Sequence, residues 1–177
     1  MRKTRTDGIV VPPKSTDAIA GIASHLRRLT ELDKSPFFPI VDLYEHLHLI
    51  VEGASFEILT IEEMGEDHGR TYPDSNLIYV REDVMEGAFD DRPRDRFTLC
   101  HELGHLIMHR GVALSRVDPK SPPPIYRNSE WQADTFASHL LMPKSLLSRY
   151  DNIDAVIDDF GVSYEAANVR RKDLSNG

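Results

Sequence analysis

The clearest chemistry in the sequence lies in five consecutive residues, His101, Glu102, Leu103, Gly104 and His105. Two histidines four positions apart lie one turn apart on the same face of an α-helix. At that spacing both imidazoles can bind one metal ion from the same side. Glu102 lies at the edge of that face, where it can act on a water molecule as a base without displacing it. The pattern therefore predicts a catalytic metal site, with zinc as the metal.

The rest of the predicted helix makes this pattern more specific. Its opposite arc is apolar and consists of Leu99, Cys100, Leu103, Leu106 and Ile107. Such a helix is buried on one side and carries polar chemistry on the other. The alternative is a core helix whose histidines make structural hydrogen bonds. A lone histidine would favour that alternative, and we expect it for His109, but the pair with Glu102 favours a metal.

A catalytic zinc ion takes three protein ligands and leaves one position open, so a third ligand is needed. Glu130 and Asp134 lie four positions apart on the next long predicted helix, and the small Ala133 and Ala137 would let that helix approach closely. We expect Glu130 to complete the site and Asp134 to accept the free N–H of a ligand histidine, which fixes its tautomer. The alternative is that Glu130 is a solvated acid favoured by the helix dipole.

Two segments of the chain resemble the ImmA/IrrE family of zinc metallopeptidases. They are residues 96–109, RFTLCHELGHLIMH, and residues 130–143, EWQADTFASHLLMP. The resemblance extends over about residues 16–172. It implies the α+β class, with a compact zincin-like fold that is mainly helical and has a small, mostly antiparallel sheet and two zinc-binding helices. Cys100 stands where the family usually has a small apolar residue, and we expect it to pack like one.

The same resemblance implies a function and the residues that perform it. His101, His105 and Glu130 would bind Zn²⁺, and Glu102 would be the catalytic base. The protein would be a zinc-dependent, site-specific endopeptidase with a regulatory role. Its substrate would be a helix-turn-helix transcriptional repressor or an antitoxin partner encoded nearby. Residue types alone suggest three donors for the oxyanion, Tyr72, Tyr126 and His139. The position of His139 argues against it, because it falls opposite Glu130 on its helix.

A second interpretation is a zinc-stabilised binding protein that sequesters a regulatory partner without cleaving it. Glu102 argues for the peptidase, because a purely structural zinc site has no need of a base. Discrimination between the two depends on whether the partner is cut.

Helices and a few strands are predicted to position these residues. Apolar periodicity and breakers predict helices over residues 16–32, 39–53, 92–110, 129–142, 144–150, 152–159 and 163–172. Two strands, 56–61 and 77–80, could pair as a hairpin. Ser129 and Gln132 have the spacing of a capping box.

The second strand suggests how a substrate binds. It consists of Leu77, Ile78, Tyr79 and Val80 and precedes the zinc helix by a short segment. An exposed edge at that strand would let an extended protein segment add to the sheet through backbone hydrogen bonds. We therefore expect these four residues to be the substrate strand.

Length and patterning predict a single domain. The chain has 177 residues, a common domain size. We expect a flexible N-terminal arm over residues 1–15 and one metallopeptidase domain over residues 16–177, with C-terminal helices 144–172 packed on it.

Composition argues against nucleic-acid and membrane partners. The net charge is −8, whereas phosphate backbones are bound by clustered Lys and Arg. Residues 151–177, which have a helix-turn-helix pattern, carry six acids and three bases. Arg92, Arg94 and Arg96 alternate with acids, which predicts a solvated ion-pair cluster. One cysteine excludes an intrachain disulfide, and no apolar run is long enough for a membrane span, so we expect a cytoplasmic protein.

Overall fold

The computed structural model describes residues 8–112, 115–116 and 123–175. In these ranges the strands are β1 (Ile9–Val10), β2 (Ser55–Leu59), β3 (Gly69–Tyr72), β4 (Leu77–Arg81) and β5 (Ser115–Arg116). The helices are α1 (Thr16–Leu29), α2 (Ile40–Glu45), α3 (Leu47–Ile50), α4 (Ile61–Met64), α5 (Glu82–Phe89), α6 (Pro93–Met108), α7 (Ser129–Leu141), α8 (Lys144–Leu147), α9 (Ile153–Phe160) and α10 (Tyr164–Ser175). The predicted α+β class is confirmed.

The three-stranded sheet is mixed, with the order β2-β4-β3. β2 pairs with β4 in parallel, and β3 pairs with β4 antiparallel. The two predicted strands therefore do pair, but in parallel, so the predicted hairpin between them is wrong. A parallel pair needs a crossover connection, and α4 and β3 lie in that connection. The short strand β3 was missed because Gly69-Arg70-Thr71-Tyr72 lacks apolar alternation.

β4 is the central strand, which contradicts its prediction as the substrate strand. Both of its edges are already paired, one with β2 and the other with β3. A segment cannot add to Leu77, Ile78, Tyr79 or Val80 without displacing a neighbouring strand. Alternate residues Ile78 and Val80 instead point into the core and are fully buried.

Helix α6 lies between the sheet and α7 and contacts both. Proline is tolerated in its first turn, where the missing N–H has no helical partner, and Pro93 occupies that turn. Four residues of the predicted apolar arc, Leu99, Cys100, Leu103 and Leu106, are fully inaccessible, and the fifth, Ile107, is partly buried. Burial raises the pKa of the Cys100 thiol to about 12, so this cysteine lies on the dry side of the helix as an inert packing residue.

The N-terminal segment is held against the domain where the structure describes it. Ile9 and Val10 pair antiparallel with residues 115–116, and the Val11 backbone N–H donates to the Arg127 carbonyl at 2.9 Å. Val11 is 1% exposed. The predicted flexible arm is therefore wrong for residues 8–15, and residues 1–7 lie outside the described residues.

Arg96 connects α6 to the C-terminal helices. Its guanidinium donates to the carbonyls of Phe160, Gly161 and Phe38 and lies 3.9 Å from the centroid of the Phe37 ring. It is 1% exposed. The predicted solvated ion-pair cluster is thus wrong for Arg96, because its planar, multi-donor head is satisfied by buried carbonyls.

Candidate metal centre

Three side chains from two helices converge on one point. His101 and His105 come from α6 and Glu130 comes from the first turn of α7. The His101 Nε2 and His105 Nε2 atoms are 3.0 Å apart. Glu130 Oε2 is 3.3 Å from His101 Nε2, and Glu130 Oε1 is 3.4 Å from His105 Nε2. The three residues predicted as ligands thus present one ligand atom each to a common space.

These spacings fit a zinc ion. Zinc–ligand bonds of about 2.0–2.1 Å in a tetrahedron place neighbouring ligand atoms about 3.3 Å apart. The observed separations of 3.0, 3.3 and 3.4 Å bracket that value. Two imidazole nitrogens that both direct lone pairs at each other repel unless a proton or a cation lies between them. The donor set, two imidazoles and one carboxylate, is also one that zinc uses in catalytic sites.

Close packing of α6 on α7 brings the ligands together. A Cβ built on Gly104 would lie 3.0 Å from Phe136 Cδ1 and 3.3 Å from the Ala133 Cα. Ala133, Phe136 and Ala137 are fully buried at this contact. The glycine inside the histidine motif and the two alanines therefore permit an approach that larger side chains would prevent.

Asp134 orients His101 from outside the centre. Its Oδ1 lies 2.8 Å from the Nδ1 of His101, so the carboxylate accepts the Nδ1–H and the Nε2 faces Glu130. Burial lowers the pKa of His101, but hydrogen bonds with Asp134 and Glu130 outweigh it and raise this pKa to about 9. The same negative surroundings favour any cation placed at the centre.

Glu102 is held apart from the three converging ligand atoms. It is 4% exposed, and its Oε2 accepts a hydrogen bond from the Thr71 hydroxyl at 2.6 Å. The β3 backbone passes so close that a Cβ on Gly69 would lie 2.5 Å from Glu102 Cγ. Sequence reasoning missed both contacts, because they join a strand and a helix about thirty positions apart.

The N-terminal segment covers the outer side of Glu130. Gly8 has a φ of +99°, and a Cβ built on it would meet Glu130 Cγ at 2.7 Å. The neighbouring Ile9 backbone N–H donates to the Ser129 hydroxyl at 3.0 Å. Residues 8 and 9 thereby restrict the position of the Glu130 stem.

Gln132 serves the site rather than the helix cap. Asn128 is the N-cap of α7, and its side chain accepts from the Trp131 N–H, so the predicted capping box is wrong. Gln132 is fully buried, and its Oε1 lies 3.2 Å from His109 Nε2. His109 in turn contacts the ligand residue His105, with their Nδ1 atoms 3.0 Å apart.

Two of the three residues considered for the oxyanion lie in unsuitable places. His139 Nδ1 lies 3.0 Å from Nη2 of Arg170, a contact with the C-terminal helix. Tyr72 follows Thr71 in β3, so its side chain points to the opposite face of the sheet, where its ring packs edge-on against Tyr79 at 5.6 Å. Tyr126 lies just before α7 and is 46% exposed. Its hydroxyl is a hydrogen-bond donor, so Tyr126 stays a candidate.

Comparison with known proteins identifies a family and a shared fold. The family model described as peptidase M78, IrrE N-terminal-like domain, matches residues 55–172. No curated protein matches the chain. Among solved structures, a Mycobacterium tuberculosis transcriptional regulator matches with a TM-score of 0.56 and 17% identity, over 86% of this chain and 54% of that one. This chain spans about half the length of that regulator, and at such identity the likeness shows a shared fold.

Within residues 8–112 and 123–175, no helix combines the length and the apolar character needed to cross a bilayer.

Proposed function

The chain belongs to the IrrE N-terminal-like peptidase family, and from this membership we propose that it is a zinc-dependent endopeptidase that cuts a regulatory protein. One observation carries the proposal. Ligand atoms of His101, His105 and Glu130 lie within 4.8 Å of one another, and the buried Glu102, which follows His101 on α6, does not belong to that group. Three ligands and a separate base are the arrangement with which a zinc site hydrolyses a peptide bond.

The chemistry divides between the metal and the chain. A bound zinc ion supplies a Lewis acid that polarises the scissile carbonyl and makes water a better nucleophile. Glu102 accepts a proton from the attacking water as its oxygen bonds to the carbonyl carbon. It then delivers that proton to the leaving amide nitrogen as the C–N bond breaks. The products are a carboxylic acid and an amine.

Thr71 and Asp134 position the groups that do this work. The Thr71 hydroxyl donates to Glu102 Oε2 at 2.6 Å, which restricts the rotation of the carboxylate. Asp134 accepts the Nδ1–H of His101 and so keeps the lone pair of Nε2 directed at the centre. Loss of such an outer partner typically costs about 10–100-fold in metal affinity or activity.

The substrate strand is β3 in this proposal. It is an edge of the sheet among the described strands, and Gly69 and Thr71 lie against the base. The Arg81 N–H donates to the His68 carbonyl, so these two residues form a hydrogen-bonded pair. Along an antiparallel ladder, hydrogen-bonded pairs alternate with pairs that are not hydrogen-bonded, and Gly69 and Thr71 belong to the second kind. The backbone groups of Gly69 and Thr71 therefore face away from β4, where an extended segment of a substrate could bind them.

The partner follows from family membership and from charge. The resemblance to the ImmA/IrrE family implies a regulatory role, and the structural neighbour is a transcriptional regulator. A net charge of −8 disfavours direct contact with nucleic acid. The proposed substrate is therefore a helix-turn-helix repressor or an antitoxin encoded nearby, cut in the cytoplasm. The alternative, sequestration of that partner without cleavage, remains the competing outcome of the test.

The metal site is tested by elemental analysis of protein purified without chelators. We expect about one zinc ion per chain and its loss in His101→Ala and Glu130→Ala. His139→Ala is the matched control, since His139 lies on α7 but contacts Arg170. Full zinc content in both ligand variants would overturn the assignment of the site.

The reaction is tested by co-expressing the chain with the helix-turn-helix protein encoded beside it and following that protein by mass spectrometry. We expect one or two discrete cuts with the wild type. The Glu102→Gln variant should keep its zinc and make no cut. A stable uncut complex with both versions would favour sequestration, and equal cleavage by both would refute the role of Glu102.

A further inference from the structure

A chain of hydrogen bonds runs from the N-terminal segment to the candidate ligand His105. It passes through Gln132 and His109, neither of which contributes a ligand atom to the centre. Gln132 is fully buried and His109 is 3% exposed. Burial of a polar side chain is costly unless its hydrogen bonds are made. Two buried polar side chains connected in series to a candidate ligand therefore suggest a role at the metal centre.

The orientation of the Gln132 amide follows from its partners. Its Nε2 donates to the carbonyls of Pro12 at 2.9 Å and Tyr126 at 2.8 Å. A carbonyl only accepts, so both hydrogens of the amide nitrogen are used there. The Oε1 atom must then face His109, and it can only accept a hydrogen bond.

The protons on the two histidine rings follow in turn. Since Gln132 Oε1 accepts, His109 carries a hydrogen on Nε2, 3.2 Å away. The Nδ1 of His109 is then the acceptor for Nδ1–H of His105, at a separation of 3.0 Å. With its proton on Nδ1, His105 presents the lone pair of Nε2 to His101 and Glu130, as a metal ligand must.

We propose that Gln132 and His109 are positioning residues that fix His105 in the tautomer able to bind the metal. The carboxylate of Asp134 fixes the tautomer of His101. The neutral imidazole of His109, oriented by the amide of Gln132, fixes that of His105. The chain ends on the Pro12 carbonyl, so the N-terminal segment is part of the support of the centre. This inference rests on the proposed metal site and adds two residues to it.

The test compares zinc affinities, measured by competition with a chromophoric chelator. His109→Leu removes the acceptor while keeping an apolar side chain of similar bulk, and we expect about 10–100-fold weaker binding. His109→Asn should restore most of the affinity, because its Oδ1 can take the place of the ring Nδ1 as an acceptor. His139→Leu, which removes a histidine bonded to Arg170, is the matched control and should bind zinc like the wild type.

A double variant distinguishes a connected chain of hydrogen bonds from two independent packing effects. Gln132→Leu should also weaken zinc binding, and the double variant with His109→Leu should be no weaker than His109→Leu alone. Fully additive losses would overturn the proposal. So would unchanged affinity of His109→Leu.

The wild-type protein provides a direct reading that needs no variant. Imidazole ¹⁵N–¹H spectra of the zinc-loaded protein should show a proton on Nε2 of His109 and on Nδ1 of His105. A proton on Nδ1 of His109 would overturn the proposal. Failure of the wild type to bind zinc would instead contradict the metal site of the proposed function, so the two failures are distinguishable.

Discussion

Replacing Gly69 with alanine should displace the catalytic base without disturbing the metal. A Cβ at this position would lie 2.5 Å from Cγ and 2.9 Å from Cδ of Glu102. Ordinary carbon contacts begin at 3.4 Å, so the stem of Glu102 must retreat by roughly 0.9 Å. A misplacement of about 1 Å at a reacting group can cost roughly 100-fold in rate. We therefore expect kcat to fall by about two orders of magnitude.

The assay measures cleavage of the partner protein by the purified variant, together with its zinc content. The proposed ligands His101, His105 and Glu130 lie on α6 and α7 rather than on β3, where the substitution is made. The zinc content should therefore remain near one ion per chain. Gly21→Ala is the matched control, since a Cβ there meets nothing within 4 Å. It lies inside α1, where alanine favours the helix by about 1 kcal/mol over glycine, and it should leave kcat unchanged.

Two results would refute this reasoning about Gly69. Cleavage at the wild-type rate would mean that β3 does not confine the base. Loss of zinc along with activity would mean that the substitution disturbs the packing of α6 rather than Glu102 alone.

Three further predictions address the base, the fold and the pH dependence of stability. Thr71→Val removes the hydroxyl that donates to Glu102 and should lower kcat about 10-fold or more, whereas Thr71→Ser should stay near wild type; equal rates for both would contradict this. Arg96→Met leaves three carbonyls without their donor and should lower the free energy of unfolding, measured with urea, by at least about 3 kcal/mol. A loss under about 1 kcal/mol would contradict the stabilising role of these three hydrogen bonds. Burial and the charge of Arg170 lower the pKa of His139 to about 4 from 6.5, so the unfolded state binds a proton first and stability should fall as pH drops from about 6.5 toward 4. His139→Gln, which keeps an acceptor, should lose less stability over that range, and an equal loss would show that His139 does not titrate this way.

Local patterns were enough for the two helices that carry the site. The spacing of His101 and His105 placed both on one face of a helix, and the apolar residues around them, such as Leu99, Leu103 and Leu106, placed its other face in the core. The small residues Ala133 and Ala137 indicated a close helix contact, which the structure contains. Each of these inferences needs only the helical period and side-chain size, and both are properties of a short segment.

Contacts between distant segments could not be predicted in this way. The sequence indicated the strand Leu77–Val80 and its pairing with the strand at 56–61, but not the parallel direction of that pair or the strand β3. Only the sheet order shows that Leu77–Val80 is central and that β3 is the edge beside Glu102. Likewise, Gln132 matches a capping pattern by spacing, yet in the fold it faces His109 and the Pro12 carbonyl. The sequence therefore determined which residues could bind a metal and act as a base. The tertiary structure decided most of what holds them, because the hydrogen bonds from Thr71 to Glu102 and from Gln132 to Pro12 join elements far apart along the chain, where no helical or strand periodicity relates the partners.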